Sequence, residues 1–345
     1  MKKALVHYFS GTGNSFLAAK QLTEELIKYN YEVTFHPIEK GLYDNIEVYA
    51  LHIFFFPVYA TAMPHIMARY MRNLPNGKDA KTVVISTNGK ISTRFRDGYQ
   101  GWALHQARLY LSLKNYKVFF SDTLDYPHNV TVFGPPRKEK ANEEILYQIS
   151  ARFPLMVEKI AKGEKKHRKF FFPNIIWSLP FSLLFSFFAR HLIGKMFEAD
   201  CNCSLCGQCK EKCPVKAIKM NSKKITWRWN CEGCLRCINS CPRHAVQVSA
   251  VRVLASIIAA FLNPFVLFHN IFSEKFIGSL GNIGVIVFNV LMYAAFFIIT
   301  FVIMDWLINI LSFVPVFKKV ISWGHTRYYG RYNAKEFEKK VANKK

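Results

Sequence analysis

The chain has 345 residues, 51% of them hydrophobic, enough for two or three domains with apolar cores of their own, and this excludes a small disulfide-stapled scaffold. A formal charge of +24, from 47 basic and 23 acidic residues, suits an anionic partner, whether nucleic acid, an anionic lipid surface or an acidic redox protein. Eight of the nine cysteines fall in one short region at metal-ligand spacing, which argues for thiolate coordination in a reducing compartment and against disulfides.

Met1-Lys2-Lys3 leads into only a short strand-like run and then a Gly/Ser/Asn loop. That is not the pattern of a signal peptide, so the N-terminal part is expected in the cytoplasm. Residues 3–9, 32–36, 49–56, 81–86 and 117–121 read as short strands, and the third and fourth are nearly continuous apolar runs that suit burial on both faces. Helical patterns over 14–29, 64–73, 99–113 and 141–160 alternate with them. This alternation predicts an α/β doubly wound parallel sheet.

Between the first strand and the first helix stands Phe9-Ser10-Gly11-Thr12-Gly13-Asn14-Ser15. Backbone N–H groups of such a loop and the positive end of the helix form an anion site, to which the Ser10, Thr12, Asn14 and Ser15 side chains add neutral donors. No lysine follows the glycines, which excludes a Walker loop, and Phe16 breaks the G-x-G-x-x-G pattern. Hydroxyls and amides without a fixed cation suit a permanently bound phosphate monoester such as that of FMN; an ordinary turn with a helix cap is the alternative. The third strand runs into Pro57-Val58-Tyr59-Ala60 and the fourth into Thr87-Asn88-Gly89, at the sheet edge where ligands gather. There Tyr59 either stacks on an isoalloxazine ring or simply packs, while Asn88 and nearby amides bond the ring's polar rim. The candidate cofactor residues are Ser10, Gly11, Thr12, Gly13, Asn14, Ser15, Pro57, Tyr59, Thr87, Asn88 and Gly89. No residue stands out as a general acid or base, since His7, His65, His105 and His128 each read as packed or surface histidines.

From 170 to 189 the composition shifts to a run without charged residues that carries Pro173, Pro180 and several phenylalanines. A full crossing of a membrane there would put the glycine loop and the cysteines on opposite faces, so the run is expected to be interfacial or re-entrant. A helical linker buried between domains is the alternative.

An internal repeat follows. Cys203-x2-Cys206-x2-Cys209-x3-Cys213-Pro214 recurs as Cys231-x2-Cys234-x2-Cys237-x3-Cys241-Pro242, and Ala217-Ile218 is echoed by Ala245-Val246. Two-residue gaps let a tight loop wrap three thiolates around one face of an iron–sulfur cube, and the fourth cysteine, after a short helical turn, reaches the other cube. On that pattern Cys203, Cys206, Cys209 and Cys241 hold one [4Fe-4S] cluster and Cys231, Cys234, Cys237 and Cys213 the second. A zinc module also uses paired C-x2-C, but it has no use for three evenly spaced cysteines and a fourth before proline. Cys201 stands outside the repeat, either as a partly buried bystander or as a thiol with a ligand-swapping or redox role.

Two more apolar stretches, 253–268 and 283–304, precede a basic tail. The second has 22 residues, and at ~1.5 Å each they span ~33 Å, enough for a ~30 Å hydrocarbon core; the first falls just short. A hairpin of the two keeps the cysteine module on one side with Lys318, Lys319, Arg327, Arg331, Lys339 and Lys340, and leaves only Lys275 on the other, which is the positive-inside arrangement. The basic runs beside apolar segments favour a membrane surface over nucleic acid.

Residues 198–249 resemble a bacterial-type two-cluster ferredoxin through these eight cysteines, which implies a small α+β fold of pseudo-two-fold symmetry. Residues 1–160 resemble a flavodoxin, most closely in the Ser-Gly-Thr-Gly-Asn-Ser loop. The arrangement over 1–249 is similar to the flavodoxin–ferredoxin fusion proteins of the EFR family, in which Tyr126-Pro127-His128-Asn129 falls at a recurrent aromatic-Pro-x-Asn position. The run at 170–189 and the C-terminal membrane region depart from that family. The expected division is a flavodoxin-like FMN-binding domain over 1–165, an apolar interfacial linker over 166–197, a 2[4Fe-4S] ferredoxin-like domain over 198–249, a transmembrane hairpin over 250–317 and a basic cytoplasmic tail over 318–345. A flavin exchanges one or two electrons and a cluster one, so the expected activity is conversion between these steps at the cytoplasmic face of the cytoplasmic membrane, for a protein partner. Two alternatives stay open: a reductase of a membrane-soluble quinone or unsaturated lipid, and a cluster-based sensor without flavin.

Overall fold

The computed structural model describes residues 1–90, 100–132, 134–136, 138–168, 173–261, 281–334 and 337. Strands β1 (Lys2–Tyr8), β2 (Tyr31–Pro37), β3 (Leu51–Pro57), β4 (Lys81–Lys90), β5 (Lys117–Pro127) and β6 (Lys166–His167) form a six-stranded sheet in the order β2-β1-β3-β4-β5-β6. Every pairing in it is parallel. The 2-1-3-4-5 winding is flavodoxin-like, so the doubly wound parallel α/β expectation holds for this part of the chain.

Alternation along the strands divides the core. Ala4, Val6, Ile53 and Phe55 point to the face covered by α1 (Asn14–Ile27), α4 (Glu139–Ser150) and α5 (Phe153–Lys162), where Leu22, Ile145, Phe153 and Val157 meet them. Leu5, Phe54, Phe56 and Val84 point to the opposite face, under Met67 of α2 (His65–Asn73) and Leu111 of α3 (Ala103–Ser112).

Three local expectations are corrected. The single helix expected over 141–160 is two, because Pro154 at the second position of α5 has no N–H for the preceding turn, and the chain breaks at residues 151–152. The helix expected from residue 99 starts at Ala103; position 99 itself lies outside the described residues. Strands β4 and β5 run on past 86 and 121, paired through Ser86↔Thr123 and Asn88↔Asp125 as far as Lys90↔Pro127. Their polar residues hide the extension from an apolar pattern and carry the sheet edge towards the glycine loop.

A connector follows, made of α6 (Pro173–Leu184), a π turn (Phe185–Ala189) and α7 (Arg190–Lys195). The cysteine-rich part runs β7 (Phe197–Ala199), α8 (Gln208–Glu211), β8 (Ile218–Met220), β9 (Ile225–Trp227), α9 (Arg236–Asn239) and β10 (Val246–Val248). Strand β7 pairs antiparallel with β10, and β8 with β9. The sequence repeat is also a backbone repeat: positive φ occurs at Leu205 and Gly233, at Gly207 and Leu235, and at Lys216 and His244, which are equivalent positions in the two halves.

Helix α10 (Ala250–Phe261) then packs on α11 (Gly281–Leu311), where the Tyr293 hydroxyl donates to the Ala260 carbonyl at 2.9 Å. Over Ile283–Leu311, α11 is long and apolar enough to cross a membrane, and most of its surface is not covered by the rest of the protein. Residues 262–268 of the expected hairpin, Lys275, and Lys339 and Lys340 of the tail lie outside the described residues. The foot of α11 is tied to the cysteine-rich part. Asp305 bonds Arg252 at 2.7 Å and Lys195 at 2.9 Å, and Arg252 bonds Glu198 at 2.7 Å. Helix α12 (Pro315–Ile321) and a 3-10 turn (His325–Tyr328) lead into the tail.

Candidate functional site

Helix α1 starts at Asn14 behind Gly13, whose φ of 108° lies in a left-handed region that only glycine adopts without strain. The first N–H groups of the helix have no carbonyl partner within it, and its first turn carries no acid, so its positive end is open to an anion. Ser10, Thr12, Asn14 and Ser15 are all buried. The Gly13 N–H donates to Ser10 Oγ (3.0 Å), Ser15 Oγ meets Thr87 Oγ1 (2.7 Å), and Asn14 Nδ2 donates to the Pro127 carbonyl (2.9 Å). Asn129 Nδ2 donates to Thr12 Oγ1.

The ends of β3 and β4 join this loop. Pro57 lies opposite Thr87 in the sheet, and the Val58 N–H donates to the Thr87 carbonyl at 2.9 Å. Asn88 is buried, with Nδ2 3.4 Å from Thr123 Oγ1 and Oδ1 without a partner among the described residues. Gly89 lies under His128, and a Cβ there would stand 3.2 Å from its ring. Tyr59 packs edge-on against Phe9, with ring centroids 6.4 Å apart. Tyr59 is half-buried, with its hydroxyl end against Gly11, and burial, with the neighbouring Cys234 and Glu232, holds the phenol pKa well above its usual value.

Ionised, the cysteines would raise one another's pKa in two crosswise sets, each joining cysteines of one half to the last cysteine of the other. Cys209 faces Cys203, Cys241 and Cys206, and Cys203 faces Cys241 and Cys206. Cys234 faces Cys213 and Cys231, and Cys237 faces Cys231 and Cys234, with Cys209 a weaker neighbour. Burial is the largest cause of their raised pKa values, pushing Cys209 to about 12 and Cys231 to about 11. Equivalent backbone N–H groups reach the last thiol of each half: Ala217 to Cys213 Sγ at 3.2 Å and Ala245 to Cys241 Sγ at 3.3 Å. Among the described residues no three His, Cys, Asp or Glu side chains are grouped to hold a single metal ion. Cys201, expected to be partly buried, is exposed and belongs to neither set.

The second cysteine loop sits directly on the glycine loop. A Cβ on Gly11 would stand 2.4 Å from the Cys234 carbonyl oxygen and 2.6 Å from the Tyr59 hydroxyl, so this approach requires glycine. Arg236 is buried at the joint: Nη2 donates to the Ser10 carbonyl at 2.5 Å, Nε to the Gly11 carbonyl at 3.3 Å, and Nη1 to Glu39 at 2.9 Å. Burial opposes its charge, but the Glu39 carboxylate outweighs burial and raises its pKa. By holding those two carbonyls, Arg236 fixes the loop's orientation from the cysteine side. Glu232, also buried, accepts the Ile66 N–H at 3.0 Å and so caps α2 from the other half of the molecule.

Sequence reading missed Arg236, Glu232 and Glu39. A signal existed for the first two, because the equivalent positions of the first repeat are Gln208 and Ser204, and a charge gained in only one half of a repeat marks an asymmetric contact. It also missed the tail. The Tyr332 hydroxyl bonds Asn14 Oδ1 at 2.7 Å, the Ala334 N–H donates to the Thr12 carbonyl at 3.0 Å, and Phe337 packs on Phe16.

Comparison with solved structures finds flavodoxins matching the N-terminal half. A short-chain flavodoxin associated with a non-canonical PDU bacterial microcompartment is 16% identical, with 47% of this chain and 99% of that one covered, at a TM-score of 0.33. Fusobacterium nucleatum flavodoxin bound to flavin mononucleotide is 14% identical over 48% of this chain and 100% of that one, at a TM-score of 0.34. A flavodoxin mutant from Pseudomonas aeruginosa is 14% identical over 47% and 97%, at a TM-score of 0.35. Such distant likenesses add nothing to what the strand order says of the fold. No protein-family model matches the chain, and no curated protein matches it.

Proposed function

We propose that this chain is a membrane-associated electron-transfer protein, in which FMN on the β1–α1 loop exchanges electrons with two [4Fe-4S] clusters. One cluster is held by Cys203, Cys206, Cys209 and Cys241, the other by Cys231, Cys234, Cys237 and Cys213. The observation that carries this reading is the seating of the Cys231–Cys237 loop on the glycine loop, with the Cys234 carbonyl against Gly11 and Arg236 bridging the two. When bound, the flavin takes one or two electrons and each cluster takes one.

The residues suit these groups. Neutral hydroxyls, an open helix end and the unpartnered Oδ1 of Asn88 suit a phosphate and the polar rim of a ring. Crosswise thiol sets with N–H groups at the sulfurs suit two cubes and not a single tetrahedral ion. Arg236 and Glu232 hold the two sites in contact, which keeps any transfer distance short. The apolar length of α11 ahead of Asp305, followed by Lys318, Lys319 and Arg327, supports an anchor in the cytoplasmic membrane with both redox domains on the cytoplasmic side and a protein as redox partner.

A second reading, reduction of a membrane-soluble quinone or unsaturated lipid, is favoured by one contact. Thr61 Oγ1, in the loop that carries Tyr59, bonds the Ser178 carbonyl (3.1 Å) and Ser182 Oγ (2.8 Å) of α6; Phe181 and Leu184 of α6 and Phe187 of the π turn after it are exposed. A lipid-soluble acceptor on α6 would reach the flavin loop from the bilayer.

Anaerobic purification in detergent, with iron, acid-labile sulfide and FMN quantified and reduction followed by visible and EPR spectroscopy, tests the proposal. About eight iron and eight sulfide per FMN are expected. Stoichiometric zinc without sulfide overturns it; clusters without FMN leave the sensor reading in its place.

A further inference from the structure

On the cysteine-rich part, the β8–β9 hairpin and α8, which carries Cys209, surround a cavity of about 350 Å³, within the ~300–1,000 Å³ of small-molecule sites. Lys210, Lys219, Lys224 and Arg228 line it together with Asn221 and Thr226, and no carboxylate does. Its positive charge is therefore not balanced from within. Around Lys224, behind the cavity lining, the Glu198 and Asp305 carboxylates stand against the Arg252 and Lys318 cations.

The cavity's place in the fold says which anion it suits. Lys224 is buried, and its ammonium donates to Asn309 Oδ1 at 3.0 Å, to the Asn309 carbonyl at 3.2 Å and to Ser312 Oγ, with the Phe313 ring 5.4 Å away. These residues form the last turn of α11 and its exit, so the cavity opens at the level where the long apolar helix ends. Beside it, α12 and the residues after it expose Val316, Phe317, Val320 and Trp323. A free phosphate or an acidic protein surface has no use for that apolar face, whereas a lipid places its acyl chains on such a face and its headgroup phosphate among the cations.

We propose that this cavity binds the phosphodiester headgroup of an anionic lipid where α11 meets the membrane surface, an inference that rests on the membrane reading given above. Occupancy would fix the depth of α11, and through Lys224 and the Asp305 network the position of the cysteine-rich part over the bilayer.

Native mass spectrometry of the full chain released from detergent, titrated with phosphatidylglycerol or phosphatidylcholine, tests it. Retention of one phosphatidylglycerol in preference to phosphatidylcholine is expected. The exposed pair is replaced in K219Q/R228Q. Because one cation at an anionic surface is worth roughly fivefold in affinity, this variant should lose about 30-fold of the preference. The charge-conserving K219R/R228K should keep it. Equal binding of the two lipids, or an undiminished preference in K219Q/R228Q, overturns the assignment. Displacement of the lipid by inorganic phosphate at matching concentration overturns it in favour of a free-anion site. Alkaline carbonate extraction in parallel separates the two readings: a chain that stays in membranes yet shows no lipid preference sinks the site alone, and a chain that washes off sinks the membrane reading.

Discussion

His7, His36 and His52 stand on β1, β2 and β3 and meet on one face of the sheet, His7 lying directly opposite His36 in the register. All three are buried. His7 Nε2 is 3.2 Å from His52 Nδ1, the Tyr70 hydroxyl is 2.8 Å from His7 Nδ1, and the His7 ring stacks on Phe54 at 4.4 Å. Burial is the first cause that lowers each pKa, His52 to about 4 and His7 well below its usual value, with the other histidines adding to the shift at His7. The unfolded chain therefore binds protons below about pH 6.5 that the folded chain refuses, so stability is complete above that pH and is lost as pH falls towards 4. His52 alone accounts for roughly 3 kcal/mol of this loss. Pulse proteolysis in urea, following fragments of the N-terminal domain in the full chain, should give a flat midpoint above pH 7 and a falling one below pH 6, with a shallower fall in His52→Gln. A midpoint unchanged between pH 7 and 5 would show that the three imidazoles are not held neutral. None of this was legible in sequence, where each histidine stands alone and only the parallel register joins them.

Elements read well where one periodicity dominated. Strands β3 and β4 were legible because buried parallel strands are written as apolar runs, and the backbone repeat of the cysteine-rich part because its spacing recurs. What stayed hidden was polar: the extensions of β4 and β5, the cap that Glu232 gives α2, and the foot of α11, where one acid ends an apolar run. That foot is open to test. Arg252 is 6% exposed at its side chain and Glu198 only 2%, so Arg252→Leu leaves the Glu198 carboxylate buried without its cation and frees one oxygen of Asp305. Breaking a buried pair from one side costs about 3–5 kcal/mol, whereas replacing both partners by apolar residues is close to neutral. Thermal unfolding in detergent should therefore fall sharply for Arg252→Leu and recover in the double variant Arg252→Leu/Glu198→Leu. A single variant that melts with the parent would mean that α11 is not fastened here.

At the scale of the whole molecule, the chain returns to where it began. After α12 the tail crosses the cysteine-rich part, where Arg331 donates to the Val246 carbonyl at 3.1 Å and the Tyr332 N–H to Asn239 Oδ1 at 3.1 Å. It then lies on the glycine loop, close enough that a Cβ on Gly13 would stand 2.5 Å from that of Ala334. The candidate flavin loop is thus clamped from two directions, by Arg236 from the cysteine side and by the tail from outside. Truncation after Arg331 removes the Tyr332–Asn14, Tyr332–Asn239 and Ala334–Thr12 bonds, each worth about 1 kcal/mol net, so local opening of the loop should become easier by about 2–3 kcal/mol. Amides of residues 10–16 should then exchange hydrogen about 30- to 150-fold faster, while those of β3 and β4 keep their protection. FMN, if held there, should also leave faster on dilution. Tyr332→Phe, which loses only the Asn14 bond, should fall between the two. Unchanged exchange at 10–16 in the truncated chain would reduce the tail to a surface segment with no hold on the loop.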